Sequence, residues 1–281
     1  MKKINIKGMF KDKKVMFGAG TLAIASVLTI GLLSNKTTEA FVRDVTTHIE
    51  VTPETLSIMG YQEMDYAQAM SYILSRAEIS PFEVEEMRLE GITLEEHLSN
   101  LDAICKVENV NPNVVLSQQI VETATFMFKY LKTNEDGSQE IVESSVPSDH
   151  YNFAGIGATD SNPEPYKFEN NLRGQVAEVH LLKIYASTDE LLVPLDEIDF
   201  ANNTRAKATN VAGLAKTWAS DPNYGNLITS VYNSMMTHEI DVELLEKYAG
   251  HVYERTPEET IEQEDTQDNS ETELNSETIG K

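Results

Sequence analysis

The chain has 281 residues, with 22 Lys and Arg against 46 Asp and Glu, and a formal net charge of −24. Because so acidic a chain repels nucleic-acid phosphates and has no basic stripe to offset this, we expect no nucleic-acid partner. Cys105 is the only cysteine, so an intrachain disulfide is excluded. Helical spacing places Cys105 on an apolar helix face, which favours a core residue over a nucleophile.

The N-terminus has the pattern of a membrane anchor. Residues 1–14 carry six lysines and one aspartate, and residues 15–33 carry no charge. A helix of that length spans about 28 Å, close to the ~30 Å hydrocarbon core of a bilayer. Lysine clusters stay in the cytoplasm, so we predict a cytoplasmic segment, one transmembrane helix at 15–33 and an extracellular domain. A cleaved signal peptide is the alternative, and it would make the protein secreted.

The composition then divides the rest of the chain into three parts. Residues 34–54 are polar and are predicted to form a spacer, and residues 55–250 are long enough for one domain with a real core. Residues 251–281 are predicted to be an acidic disordered tail, since 254–281 hold ten acidic residues, two basic residues and no aromatic residue.

Helix start signals dominate the first half of the domain. Asp65 is positioned as an N-cap, and Asn111-Pro112 opens the helix that contains Glu122. Two capping boxes, Ser80-Pro81-Phe82-Glu83 and Thr93-Leu94-Glu95-Glu96, predict two further helices.

The second half of the domain begins with a hairpin. Residues 128–132 and 139–143 flank Asp136-Gly137, which is a hairpin turn signal. Residues 152–168 are predicted to be loop, and helices are predicted at 171–186, 209–219 and 221–236. The fold class is therefore mostly α (α+β), with a small β-hairpin lobe inserted after the Glu122 helix, as in lysozyme-like folds.

Several short motifs in a fixed order carry a family resemblance. They are Ile58-Met59-Gly60, Gln119-Ile120-Val121-Glu122-Thr123, the run from Asn152 to Thr159, Arg173-Gly174-Gln175-Val176-Ala177, the run from His180 to Ser187, the run from Ala212 to Ala219, and Asp221-Pro222-Asn223-Tyr224-Gly225. In these motifs the chain resembles the bacterial glucosaminidase family (glycoside hydrolase family 73, mannosyl-glycoprotein endo-β-N-acetylglucosaminidase-like), which cuts the glycan strands of peptidoglycan.

The resemblance implies roles for individual residues. Glu122 matches the catalytic acid, and Asp149 matches an acidic position before the Asn-Phe motif. Asn152, Phe153 and Tyr224 match positions that line the sugar cleft. Two features depart from the family pattern: Ala124 stands where the family usually has glycine, and the connection from 128 to 146 is longer.

The residues themselves point to the same chemistry. Glu122 ends an apolar helix, and a carboxyl group in apolar surroundings has a raised pKa and can donate a proton near neutral pH, as glycoside cleavage requires. A second carboxylate is generally needed, and Asp149 and Glu143 are the first candidates. Glu140 and Asp160 are further ones, and the substrate's own N-acetyl group is an alternative nucleophile.

Other polar and aromatic side chains are candidate substrate ligands. Gln118 shares a helix face with Glu122. Trp218 and Tyr224 carry faces that can stack on sugars; Tyr224 is expected to be exposed in the cleft, whereas Trp218 is expected to lie on a helix and to fit core packing as well. Asn152 fits either a turn residue or a donor to an N-acetyl carbonyl.

No metal or cofactor is expected, because the six histidines form no zinc motif and no phosphate-binding loop is present. The sequence therefore predicts a membrane-anchored peptidoglycan hydrolase that cleaves the β-1,4 bond after N-acetylglucosamine. The alternatives are a muramidase or lytic transglycosylase of the same fold, and a non-catalytic wall-binding scaffold. The expected partners are peptidoglycan strands and, through 15–33, the membrane; a cell-envelope or secretion machine is also compatible.

Overall fold

The computed structural model describes residues 50–157, 164–195 and 205–253. These residues form six α-helices and two small antiparallel sheets, which confirms the mostly α, α+β fold class. The helices are α1 Tyr66–Glu78, α2 Leu94–Glu108, α3 Pro112–Glu122, α4 Asn171–Ala186, α5 Tyr224–Met236 and α6 Val242–Lys247. The strands are β1 Ile92–Thr93, β2 Lys129–Thr133, β3 Gln139–Glu143 and β4 Val252–Tyr253.

Helix α3 is the centre of the domain. All nine of its residues from Pro112 to Ile120 are buried, as expected for a helix surrounded by other elements. α3 packs against α5, and α2 packs against α4 beside it. The largest fully buried aliphatic side chains of the domain include Ile58, Ile73, Leu74, Met87, Leu89, Leu98, Leu101, Ile104 and Leu116. This packing fixes the end of α3, where Glu122 lies.

Three predicted helix starts are confirmed by their capping hydrogen bonds. The side chain of Asp65 accepts from the amide of Gln68 at 3.1 Å, and that of Thr93 accepts from the amide of Glu96 at 3.0 Å. Asn111 caps α3, with Pro112 at its first position. Each cap satisfies an amide that the helix itself leaves unpaired.

The helix predicted from Ser80-Pro81-Phe82-Glu83 is wrong. The Ser80 hydroxyl accepts from the amide of Phe82 at 3.2 Å, which makes a local turn instead of a helix cap. A capping box does form three residues later, between Glu83 and Glu86, but it opens only the 3₁₀ turn Val84–Glu86.

The helix predicted at 209–219 is also wrong. Only the 3₁₀ turn Val211–Leu214 forms there, capped by the Asn210 side chain. Lys216 then adopts a left-handed conformation with φ of 65°, which a continuing helix does not allow. Trp218 therefore lies in a turn and not on a helix. The helix predicted at 221–236 is confirmed but begins later, at Tyr224.

The predicted hairpin is confirmed. β2 pairs with β3 in antiparallel register, with Lys129 opposite Glu143 and Leu131 opposite Ile141. The turn contains Gly137, whose φ is 82°. A second antiparallel pair joins β1 to β4, so the folded domain continues to Tyr253, beyond the predicted start of the tail.

The predictions for residues 1–49 and 254–281, including the basic segment, the anchor at 15–33 and most of the spacer and tail, lie outside the described residues. Within the part of the chain that is described, no helix combines the length and apolar character needed to cross a membrane.

Candidate active site

Glu122 is the last residue of α3 and is half-buried, and its carboxyl group lies beneath the loop of residues 151–157. A Cβ atom built on Gly155 would lie 3.6 Å from Glu122 Oε2, so the loop backbone covers one side of the carboxyl. Burial raises the pKa of Glu122 to about 7, and a hydrogen bond from Tyr224 partly opposes this. The group is therefore able to hold a proton near neutral pH and remains partly open to solvent, as a general acid must be.

Two side chains behind the carboxyl form a short hydrogen-bond chain. Gln118 Nε2 donates to the Tyr224 hydroxyl at 2.8 Å, and that hydroxyl donates to Glu122 Oε1. Burial, together with the negative charge of Glu122, raises the pKa of Tyr224 well above its usual value, so the phenol keeps its proton and remains a donor.

The expected exposure of Tyr224 in the cleft is wrong, since only 4% of the residue is exposed. Gln118 is fully buried as well. In this conformation both side chains orient the Glu122 carboxyl, and neither is exposed enough to contact a sugar.

Asn152 builds the loop that covers Glu122. Its Nδ2 donates to the carbonyls of Ile156 at 2.9 Å and Tyr166 at 3.0 Å, and its Oδ1 accepts from the Ile156 amide at 2.9 Å. Of the two roles left open by the sequence, the geometry matches the turn residue, because the side-chain amide is already saturated by the loop backbone.

Trp218 fixes the same loop from another side. Its indole Nε1 donates to the carbonyl of Ala154 at 3.2 Å, and its ring meets that of Tyr185 edge-to-face at 5.7 Å. Trp218 is half-buried, so its observed contacts are those of a loop-positioning side chain.

The loop also lies directly on the backbone of α4. A Cβ atom at Gly174 would lie 1.7 Å from the carbonyl oxygen of Tyr151, so only glycine permits this approach. Gly155 itself has φ of 65°. The two glycines let the loop pass between α4 and the acid.

The predicted cleft-lining role of Phe153 is wrong. Only 1% of Phe153 is exposed, and its ring packs edge-to-face on His97 at 4.9 Å and on Phe126 at 6.2 Å. A tilted contact with Phe128 at 6.2 Å completes the cluster. Phe153 therefore anchors the loop in the core.

Two of the predicted second carboxylates form ion pairs, and a third is exposed on the hairpin. Asp149 forms an ion pair with Lys167 at 2.7 Å, and Glu140 forms one with Lys132 at 2.8 Å. Glu143 is exposed at the end of β3, opposite Lys129. Asp160 lies outside the described residues.

A buried carboxyl that the sequence analysis missed lies close enough to Glu122 to interact with its charge. Glu178 on α4 is fully buried, and Gln119 Nε2 donates to its Oε2 at 2.7 Å. Burial and the negative charge of Glu122 raise the pKa of Glu178 well above its usual value despite this hydrogen bond. A protonated Glu178 adds no negative charge beside the acid.

Gln119 continues this buried network to His97. His97 Nε2 lies 2.9 Å from Gln119 Oε1, and burial lowers the pKa of His97 to about 4, so its ring is neutral near pH 7. The signal in the sequence was the spacing of Asn171, Gln175 and Glu178, which places three polar residues on one face of α4.

The backbone beyond Glu122 is strained. The angle φ is 52° at Ala124, 63° at Thr125 and 62° at Phe126. All three values lie in the left-handed region, where a non-glycine residue costs roughly 1–2 kcal/mol. The Thr123 hydroxyl holds the turn by accepting from the Phe126 amide at 2.8 Å. Ala124 thus adopts a conformation that suits the glycine usual in the resembled family.

Within residues 50–157, 164–195 and 205–253, no group of three or more His, Cys, Asp or Glu side chains could hold a metal ion.

Comparison with known proteins assigns no activity to this arrangement. No family model matches the chain, and no solved structure matches it. A protein of Borreliella burgdorferi described only as uncharacterized is 24% identical over 132 residues, which cover 47% of this chain and 58% of the relative. The chain therefore spans a little over half the length of this curated relative.

Proposed function

We propose that the protein is a glycosidase that cleaves peptidoglycan strands at the β-1,4 bond after N-acetylglucosamine, with Glu122 as the general acid. One observation carries the proposal: a partly accessible carboxyl group, with its pKa raised to about 7, is held at a helix end by a neutral phenol. Glycoside cleavage requires such a carboxylic acid, protonated near neutral pH, to protonate the leaving oxygen.

The chemistry assigned to Glu122 is proton transfer in both halves of the reaction. The acid gives its proton to the glycosidic oxygen as the bond from that oxygen to the anomeric carbon breaks. The resulting carboxylate then takes a proton from the water that attacks the anomeric carbon. Tyr224 holds the Glu122 carboxyl in one orientation through both steps.

The substrate's N-acetyl oxygen is the proposed partner for the positive charge at the anomeric carbon. It attacks that carbon as the leaving group departs, forming a cyclic oxazolinium that water then opens. This route suits a site in which Asp149 is paired with Lys167 and Glu143 lies at an exposed hairpin end.

We also propose that the domain has a lysozyme-like arrangement and that it lies at the outer face of the cell membrane. The small lobe of β2 and β3 follows the acid-bearing helix directly, and the uncharged stretch 15–33 behind a lysine cluster supports export. Peptidoglycan strands are the proposed partner, and no cofactor is required.

A muramidase or lytic transglycosylase is the second candidate. The observation that favours it is the isolation of Glu122: the described hydrogen bond to its carboxyl comes from Tyr224, and the nearby Glu178 is fully buried. After protonating the leaving oxygen, a single carboxylate can also take the proton of the C6 hydroxyl of the same sugar while that oxygen bonds to the anomeric carbon, which leaves a 1,6-anhydro end and consumes no water.

The test is digestion of purified peptidoglycan by the full-length protein in detergent, followed by borohydride reduction and mass spectrometry of the fragments. Reduced N-acetylglucosamine ends support the proposal, whereas muramic or anhydro ends support the second candidate. Glu122→Gln should lower the cleavage rate by about 10²–10⁴-fold, and Glu143→Gln serves as a matched control. Binding to peptidoglycan without cleavage by a folded protein would favour a wall-binding scaffold.

A further inference from the structure

Tyr166 combines an exposed ring with a fixed backbone. The residue is 49% exposed, yet its amide donates to the Ile156 carbonyl at 2.9 Å and its carbonyl accepts from Asn152 Nδ2 at 3.0 Å. Asn152 therefore ties Tyr166 to the same loop that covers Glu122.

The ring of Tyr166 lies against bare backbone. A Cβ atom at Gly157 would lie 2.4 Å from Cδ2 and 2.8 Å from Cε2 of the tyrosine ring. Gly157 also has φ of 88°, a conformation that other residues rarely adopt. The absence of a side chain at Gly157 lets the ring lie against the loop backbone, while about half of the residue remains exposed to solvent.

This supported ring is close to the acid. Gly155, which lies over the Glu122 carboxyl, is two residues from Gly157, so their Cα atoms are at most about 7 Å apart. A glycan strand with one glycosidic bond at Glu122 would thus have a neighbouring sugar within reach of Tyr166.

We propose that Tyr166 is a sugar-stacking residue that binds an N-acetylhexosamine ring of the strand next to the cleaved bond. This inference rests on the proposed function. A pyranose ring presents an apolar C–H face, and a rigid tyrosine offers a large apolar contact area at low cost in conformational entropy, with a polar tip. Asn152 and Gly157 are the elements that hold the tyrosine in place for this contact.

Tyr130 provides the matched comparison. It is 50% exposed and lies on β2, paired across the hairpin with Val142. It has the same side chain and the same exposure, but it is not part of the loop over Glu122.

The experiment uses the full-length protein in detergent and measures cleavage of a soluble β-1,4-linked N-acetylglucosamine hexamer. Binding of the same hexamer to the Glu122→Gln protein is measured by calorimetry. Tyr166→Ala and Tyr166→Leu should raise KM and Kd about tenfold, which corresponds to the loss of roughly 1.4 kcal/mol, with kcat within about twofold of wild type. Tyr166→Phe and Tyr130→Ala should leave both constants unchanged.

The Leu variant retains apolar packing on Gly157 but lacks a flat face, so it separates stacking from support of the loop. The inference is overturned if Tyr166→Ala cleaves and binds like the wild type, or if Tyr166→Leu binds like Tyr166→Phe. If the wild-type protein neither binds nor cleaves the hexamer or peptidoglycan, the proposed function fails, and this inference fails with it.

Discussion

Two glutamates end neighbouring helices in this domain, and their carboxyl groups have opposite properties. Glu108 is the last residue of α2 and is fully buried, and Glu122 is the last residue of α3 and is only half-buried. At Glu108, burial would raise the pKa, but hydrogen bonds from His180, Lys183 and the Val193 amide outweigh burial and lower it to about 2. At Glu122, burial dominates and raises the pKa to about 7.

The partners explain the difference. Glu108 accepts from Lys183 Nζ at 2.8 Å, from His180 Nε2 at 3.1 Å, and from the amides of Leu192 and Val193 at 2.8 and 2.6 Å. Glu122 accepts from a neutral phenol. The Glu108 carboxyl is thus ionised in spite of its burial, because a cation and backbone amides compensate its charge. Glu108 is thus a structural clamp that binds the backbone amides of residues 192–193. The Glu122 carboxyl, in contrast, is able to exchange a proton.

The largest expected effect comes from breaking the clamp. Glu108→Gln leaves the buried Lys183 without its carboxylate and should lower the free energy of unfolding by roughly 3–5 kcal/mol, measured by urea denaturation at pH 7. Replacing Lys183 by Met in the same chain should recover part of the loss. Glu140→Gln, which removes an exposed ion pair with Lys132, should cost less than about 1 kcal/mol.

The clamp also has a defined pH dependence. Because the pKa of Glu108 is lowered in the folded state, its stabilising contribution is complete above the unfolded-state pKa of about 4.3 and is lost as pH falls toward 2. A Glu108→Gln protein as stable as the wild type at pH 7 would contradict the assignment of the clamp.

The second prediction is an increase in the free energy of unfolding instead of a decrease. Above pH 7 the folded state must hold a charged, poorly hydrated Glu122, so Glu122→Gln should stabilise the protein at pH 8 although it lowers the cleavage rate. The raised pKa makes this gain larger at pH 8 than at pH 5, by on the order of 2 kcal/mol. Thermal unfolding at the two pH values measures it, with the exposed Glu143→Gln as the control. An equal effect at both pH values would mean that the Glu122 carboxyl is not desolvated.

The smallest expected effect comes from removing the hydroxyl group of Tyr224, which donates to Glu122. Because the hydrogen bond from Tyr224 lowers the pKa of Glu122, Tyr224→Phe should raise it further. The activity of the wild type should fall as pH rises through about 7, where the acid loses its proton, and in the variant this fall should occur at higher pH. A hydrogen bond worth about 1 kcal/mol corresponds to somewhat less than one pH unit.

Tyr232→Phe, on the same helix α5, is the control for loss of a phenol hydroxyl. The measurement is the pH profile of kcat/KM. A profile that moves to lower pH, or an identical profile in both proteins, would mean that Tyr224 does not set the proton affinity of the acid.

Local sequence signals determined a large part of the fold. Asp65, Thr93 and Asn111 cap the helices that they were expected to cap, and Asp136-Gly137 lies in the turn of the hairpin. Caps and turns act within a few residues of the chain, so neighbours in sequence are sufficient to specify them. The local signal at Ser80 failed because a side-chain hydrogen bond closes a short turn there. The helix predicted at 209–219 is limited to the 3₁₀ turn Val211–Leu214, since Lys216 adopts a left-handed conformation.

The candidate site divides in the same way. The sequence by itself determined that Glu122 ends an apolar helix and precedes a hairpin and a glycine-containing loop. Only the tertiary structure decided that Tyr224 is buried against Glu122, that Asn152 and Trp218 hold the loop, and that Asp149 is paired with Lys167.

The buried carboxyl of Glu178 and the supported ring of Tyr166 likewise became visible only in three dimensions. The physical reason is distance along the chain: Tyr224 and Glu122 are 102 positions apart, and Trp218 and Ala154 are 64 apart. Contacts of that span depend on how α3, α4 and α5 pack together, and whether a buried carboxyl is ionised depends in turn on those contacts.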